Sequence, residues 1–126
     1  MKVVDADIFI DLSKQIRVAA DYFNKHVDSA ELRICMTTKF ELLEGARNKK
    51  ELNGIKNLFE HVDEVCPTHD SMTVALGLFS TYYLSHGIDV FDALLAGYAL
   101  SVDATVVTRN RKHYDFIPGL KYEVPY

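Results

Sequence analysis

Asp5 follows the β-branched pair Val3-Val4 directly, so its carboxylate stands where a short opening strand ends. Glu41 falls in the first turns of a helix that follows the apolar run Leu32 to Met36, and Asn110 follows the run Thr105 to Thr108. In an open parallel sheet, ligands bind outside the carboxyl ends of the strands. These three side chains can therefore meet at one edge. Asp92 points inward for a different reason: its neighbours on one helix face are Ile88, Ala96 and Ala99, small or apolar residues that face a core. A buried carboxylate without a partner costs several kcal/mol or takes up a proton, so Asp92 needs a cation or several donors. Asp89, one turn earlier, reads as a helix-start acid favoured by the dipole.

The elements that must position these groups are legible in the apolar pattern. Strands are expected at Val3-Val4, Leu32 to Met36, Val62 to Cys66, Thr105 to Val107 and Tyr122 to Val124. Helices are expected over Lys14 to His26, from a Thr37 or Thr38 cap to Gly45, and around Leu52 to Phe59. Two more run from an Asp70 or Ser71 cap to Gly87 and from Asp89 to Ser101. Strands alternating with helices imply a parallel sheet covered on both faces. The 126 residues are 48% hydrophobic and 25% charged, the balance of a globular chain with enough length for one core, and we read residues 1–126 as one domain. No run approaches the ~18 apolar residues of a membrane span, and no signal-peptide pattern opens the chain, so a soluble cytoplasmic protein is expected. A net charge of −4 argues against holding nucleic acid by bulk positive charge, but not against acting on it. Cys35 and Cys66 are too few and too far apart for a zinc site or a disulfide framework, and both read as buried reduced thiols.

Four segments in order carry a family resemblance. Val3-Val4-Asp5-Ala6-Asp7-Ile8-Phe9-Ile10-Asp11 resembles the opening of PIN domains, and Thr37-Thr38-Lys39-Phe40-Glu41-Leu42-Leu43-Glu44-Gly45-Ala46 is similar to their second block. Gly87 to Ala99, with Asp92-Ala93-Leu94-Leu95-Ala96, resembles the third. Val106-Val107-Thr108-Arg109-Asn110, then Tyr114 and Ile117-Pro118-Gly119-Leu120, resembles the closing block. The subgroup the chain looks most like is the compact VapC toxin type, the ribonuclease half of toxin–antitoxin pairs. The resemblance implies a three-layer α/β/α fold with a central, mainly parallel sheet of four to five strands. It implies that Asp5, Glu41 and Asp92 are metal-site acids and that Asn110 falls where the family has Asp or Asn. Asp7 departs from the usual Asn. Glu44 and Asp89 are spare acids nearby, and Asp115 is a weaker candidate for the fourth acid.

The chemistry implied is hydrolysis of an RNA phosphodiester. Carboxylate oxygens are hard ligands that suit Mg²⁺ or Mn²⁺, and such an ion lowers the pKa of bound water and offsets charge on the attacking and leaving oxygens. Arg109, Arg111 and Lys112, beside Asn110, are candidate phosphate contacts. The resemblance also implies a cognate antitoxin that brings a cation to the acids, and a homodimer. A helix carrying Leu78, Phe79, Tyr82 and Tyr83 is wider than one apolar stripe, which gives the dimer a separate motive. Two alternatives stay open: an inactive PIN-like module that binds a protein partner, and a phosphotransferase or phosphatase using Asp5 and Asp7, which needs a downstream Ser/Thr and a Lys at strand ends that Lys39, on the wrong side of its helix turn, does not convincingly supply.

Overall fold

Val3 and Val4 point to opposite sides of the sheet and both are fully buried, so the opening strand β1 (Lys2–Val4) is covered on two faces. The computed structural model describes residues 1–126. β2 (Leu32–Cys35), β3 (Asp63–Val65), β4 (Thr105–Val107) and β5 (Lys121–Glu123) complete a five-stranded sheet in the order β3-β2-β1-β4-β5. Every pairing is parallel, with Val3 opposite Val106 and Val4 opposite Val107. The alternation runs across the strands. Val3, Cys35 and Val106 belong to one core, and Val4, Ile34 and Val107 to the other.

Four helices cover the Val4 face: α1 (Ala6–Ser13), α2 (Arg17–His26), α3 (Met36–Glu44) and α4 (Lys49–Phe59). They contribute Ile8 and Phe9, Tyr22 and Phe23, Leu42, and the partly buried Ile55 and Phe59. The Val3 face is covered by α5 (His69–His86) and α6 (Val90–Val102), through Leu78, Phe79 and Tyr82 on the first and Leu95, Ala96 and Ala99 on the second. The expected three-layer α/β/α arrangement is therefore present. No helix is long and apolar enough to cross a membrane.

Several local expectations are corrected. The helix expected over Lys14 to His26 starts only at Arg17, because Gln15 takes a left-handed conformation (φ 57°) after α1 has ended at Ser13. Met36 is the first residue of α3, not the last of β2, and its cap is Cys35; neither Thr37 nor Thr38 caps it. The long helix α5 is capped by Thr68, ahead of Asp70 and Ser71. The Thr68 hydroxyl accepts from the Ser71 N–H (3.1 Å) while Ser71 Oγ accepts from the Thr68 N–H (2.8 Å), so two helix-start donors are satisfied reciprocally. Gly87 ends α5 as expected, at φ 61°. Cys35 is buried, but Cys66 lies beyond β3 and is exposed, because the edge strand leaves its end uncovered.

α5 and α6 touch most closely at Gly97. A Cβ there would lie 2.7 Å from both the Cβ and the backbone nitrogen of Ala75, on a helix that cannot yield locally. Gly97→Ala should therefore destabilise the fold by about 1–3 kcal/mol, the usual cost of overpacking, despite the higher helix propensity of alanine. Urea unfolding checks this, and an unchanged or raised midpoint would contradict the close packing of α5 on α6.

Candidate active site

The chain leaves β1 toward β2 and β3, then crosses the sheet to β4 and β5. The carboxyl ends of β1 and β4 thus flank the point where strand order reverses, which is where an open α/β sheet forms a crevice. Asp5 follows β1 there and caps α1, with Oδ1 accepting from the Ala6 N–H at 2.8 Å. Thr108 follows β4, is fully buried, and donates its hydroxyl to Asp5 Oδ2 at 2.8 Å. α3 delivers Glu41 and α6 delivers Asp89 and Asp92 to the same place. A cleft of about 480 Å³ results, lined among others by Asp5, Asp7, Glu41, Glu44, Asp89, Asp92, Asn110 and His113. Asp92 is only 6% exposed, as its small-residue face requires.

The acids raise one another's proton affinity. Burial, then the charges of Asp5, Asp92, Asp89 and Asp7, push Glu41 up to about 8. Burial and Asp5 push Asp7 up to about 6. Asp5 is raised by burial and by Asp92, against hydrogen bonds from Thr108, Ala6 and Tyr114. Asp92 is raised by burial, against His113 and Tyr114. Carboxylates that take up protons when crowded are the donor set a hard divalent cation replaces protons on. Oxygens of Glu41, Asp89 and Asp92 lie within 4.8 Å of one another, which suits one such ion. Asp89 also caps α6, accepting from the Phe91 N–H at 3.0 Å, so the helix-start reading and a place in the trio both hold. Asp5 lines the same cleft outside that trio, and its oxygens accept from Ala6, Thr108 and Tyr114. Asp7 accepts from the Arg109 N–H at 2.8 Å through Oδ2, while its buried Oδ1 has no hydrogen-bond partner.

The structure brings Asp5, Glu41, Asp92 and Asn110 together, with Glu44 and Asp89 lining the same cleft. Asp115 is exposed and does not line the cleft, so as a fourth acid it is corrected: it sits one residue past Tyr114, on the outer side of that turn. Arg109 is half-exposed, with its guanidinium 2.8 Å from the buried Asp11. Arg111 and Lys112 are exposed on the short 3₁₀ turn Arg111–His113, beside the cleft but not lining it. Lys39 pairs with Glu64 at 2.6 Å over the Phe59 ring, away from Asp5 and Asp7. It therefore cannot serve as the lysine of a phosphotransferase.

Sequence reasoning missed two neighbours of the acids. His113 Nδ1 lies 3.1 Å from Asp92 Oδ2. The hydroxyl of Tyr114, fully buried, lies 3.0 Å from Asp5 Oδ2 and 3.1 Å from Asp92 Oδ1. The signal for both was a His-Tyr pair three and four residues past Asn110, but nothing in its spacing told which way either side chain turns.

Residues 2–116 match the family model of the PIN domain. The chain is 32% identical over 123 residues to a protein of Mycobacterium tuberculosis named Ribonuclease VapC19, covering 96% of this chain and 98% of that one. Its fold is similar to that of DNA-bound VapBC from Salmonella typhimurium (TM-score 0.83, 19% identity, 99% of this chain and 98% of that one). It is also similar to VapBC2 from Rickettsia felis bound to a promoter DNA fragment (TM-score 0.79, 16% identity, 97% and 96%).

Glu41 holds its proton in the folded chain up to about pH 8, whereas an unfolded glutamate loses it near 4.5. Between those values the folded state binds more protons, so its contribution to stability is full below about 4.5 and is lost as pH rises toward 8. In EDTA, the melting temperature of the wild type should fall relative to Glu41→Gln across that window. Mg²⁺ or Mn²⁺ should restore it at pH 8. Parallel pH profiles for the two proteins would show that Glu41 is not strained by its neighbours.

Proposed function

The chain belongs to the PIN domain family, and on that footing we propose that it is a metal-dependent endoribonuclease, the toxin of a VapBC-like toxin–antitoxin pair, acting in the cytoplasm as one nuclease domain over residues 1–126. The observation that carries this reading is the meeting of Asp5, Glu41, Asp89 and Asp92 in one cleft at the β1–β4 crossing. A module that only bound a protein partner would have no use for acids whose burial and crowding raise their proton affinity.

Asp5, Glu41 and Asp92 would hold the ion, with Asp89 as a further oxygen donor within reach of two of them. Bound Mg²⁺ or Mn²⁺ would acidify a water and offset charge on the reacting phosphate oxygens. Asn110 is a neutral amide on the cleft wall and orients water or a ligand by hydrogen bonding. Arg109, Arg111 and Lys112 meet phosphates of the RNA backbone beside the cleft. Asp11 leaves Arg109 half-exposed, and a guanidinium has enough N–H groups to serve a carboxylate and a phosphate together. The antitoxin would silence this site by bringing an arginine or lysine to the acids, where a cation substitutes for the metal.

The dimer rests on α5. α6 and the 114–120 segment cover Leu78, Phe79 and Tyr82, so these are not the surplus apolar surface. Met72, Leu76, Tyr83 and Leu84 remain, 47%, 69%, 54% and 93% exposed, and the first three share one stripe. A twofold pairing through that stripe is the simplest way to cover it.

RNA cleavage should require Mg²⁺ or Mn²⁺ and leave 5′-phosphate and 3′-hydroxyl ends. Asp5→Asn, Glu41→Gln and Asp92→Asn should each lower the rate by more than roughly a hundredfold, beyond the usual loss for groups that only support a ligand, with the fold intact. Asn110→Ala should cost less. Full activity in excess EDTA, or cyclic phosphate ends, would overturn the reading. In sedimentation, the wild type should be a dimer at tens of micromolar and Leu76→Glu a monomer; a monomeric wild type rejects the α5 interface.

A further inference from the structure

Tyr114 is the one side chain hydrogen-bonded to both Asp5 and Asp92. Its hydroxyl lies 3.0 Å from Asp5 Oδ2 and 3.1 Å from Asp92 Oδ1. Those carboxylates come from different elements, one from the end of the central strand β1 and the other from α6. The ring is fully buried in the core that holds Val3, Val106, Leu95 and Ala96, so the hydroxyl cannot swing away from them. Asp92 has no other fixed partner on that oxygen: Oδ1 accepts from Tyr114, and Oδ2 faces the half-exposed imidazole of His113. Asp5, by contrast, is already held by Ala6 and Thr108. The arrangement is asymmetric. Asp5 is fixed to the sheet, and Tyr114 references Asp92 to it.

We infer that the Tyr114 hydroxyl is a positioning group that ties Asp92 to Asp5 and fixes how the two carboxylates present themselves to a divalent cation. This rests on the metal-dependent reading above. A phenol carries one proton, and two carboxylates compete for it. The bond is shared or alternates, and either way both oxygens stay within reach of one fixed point. Each carboxylate oxygen has a second lone pair, so accepting from Tyr114 does not prevent coordination. Groups that orient ligands in this way typically control metal affinity by roughly 10- to 100-fold.

The test is Tyr114→Phe in the full chain, which keeps the ring and removes only the oxygen. Mn²⁺ binding is measured by calorimetry and by the electron paramagnetic resonance of free ion, with thermal melts in EDTA alongside. The expected result is a loss of affinity of about tenfold or more, with a folded, cooperatively melting protein. Affinity within twofold of wild type overturns the positioning role, whatever happens to the melting temperature. Wild type that binds no Mn²⁺ overturns both this inference and the metal-dependent reading, so the two failures are distinguishable. If the variant does not fold, the wild type decides. The ¹³Cζ resonance of labelled Tyr114 should move on Mg²⁺ titration with the midpoint of ion binding, and a resonance indifferent to saturating Mg²⁺ overturns the proposal.

Discussion

Like charges repel most strongly where water is scarce, and the sheet order brings two buried acids, Asp5 and Asp92, to one cleft with further acids at its rim. β1 lies at the centre of the sheet, with its neighbours β2 and β4 reached by connections that leave in opposite directions. The crevice opened there is walled by α1, α3 and α6, and each of these helices brings at least one carboxylate. A chain that folds this way must supply donors to the acids, let them keep protons, or bind a cation. The first two are visible. Asp5 accepts three hydrogen bonds and yet burial and Asp92 still raise it, while Glu41, with no hydrogen bond to its carboxylate, is the one pushed up to about 8.

Asp7 shows the same balance at its edge. It stands where PIN domains usually carry Asn, and the substitution places another carboxylate beside Asp5. Its Oδ2 is held by the Arg109 N–H, its Oδ1 is buried without a partner, and its value rises to about 6. A protonated carboxyl has the shape of the amide it replaces and offers one O–H donor in place of two N–H donors. The departure from the family pattern is mild whenever the proton is present and costly once it leaves, which makes the ionic state of the cleft more sensitive to pH than an Asn would.

Much of this was legible in the sequence because it depends on period and order. Two buried faces in Val3-Val4 and Val106-Val107 give the parallel sheet, and Ile88, Ala96 and Ala99 turn Asp92 inward. What was not legible depends on single side-chain directions. The turn from Thr108 to Tyr114 has no period, so His113 and Tyr114 could as well have faced water. Thr68 is hard to read as a cap because the capping box here uses Ser71 at its third position in place of the usual Glu or Gln. Cys66 reads as buried yet is exposed, because an apolar run at a sheet edge looks like one at the centre.

The segment from Thr108 to Tyr114 joins the two halves of the proposed chemistry. Its inward groups hold the acids: Thr108 and Tyr114 on Asp5, the Arg109 N–H on Asp7, His113 and Tyr114 on Asp92. Its outward groups, Arg111 and Lys112, are the positive charges beside an otherwise acidic cleft. Asp11 clamps the segment from outside by pairing with Arg109 and accepting from the Tyr126 hydroxyl at 2.9 Å. On the proposed function, a phosphate held by the outer face would be placed relative to the carboxylates by one short, doubly anchored stretch of backbone. A protein with a net charge of −4 needs such an arrangement to approach a polyanion, because attraction has to come from a few charges set at the mouth of the site and not from the surface as a whole.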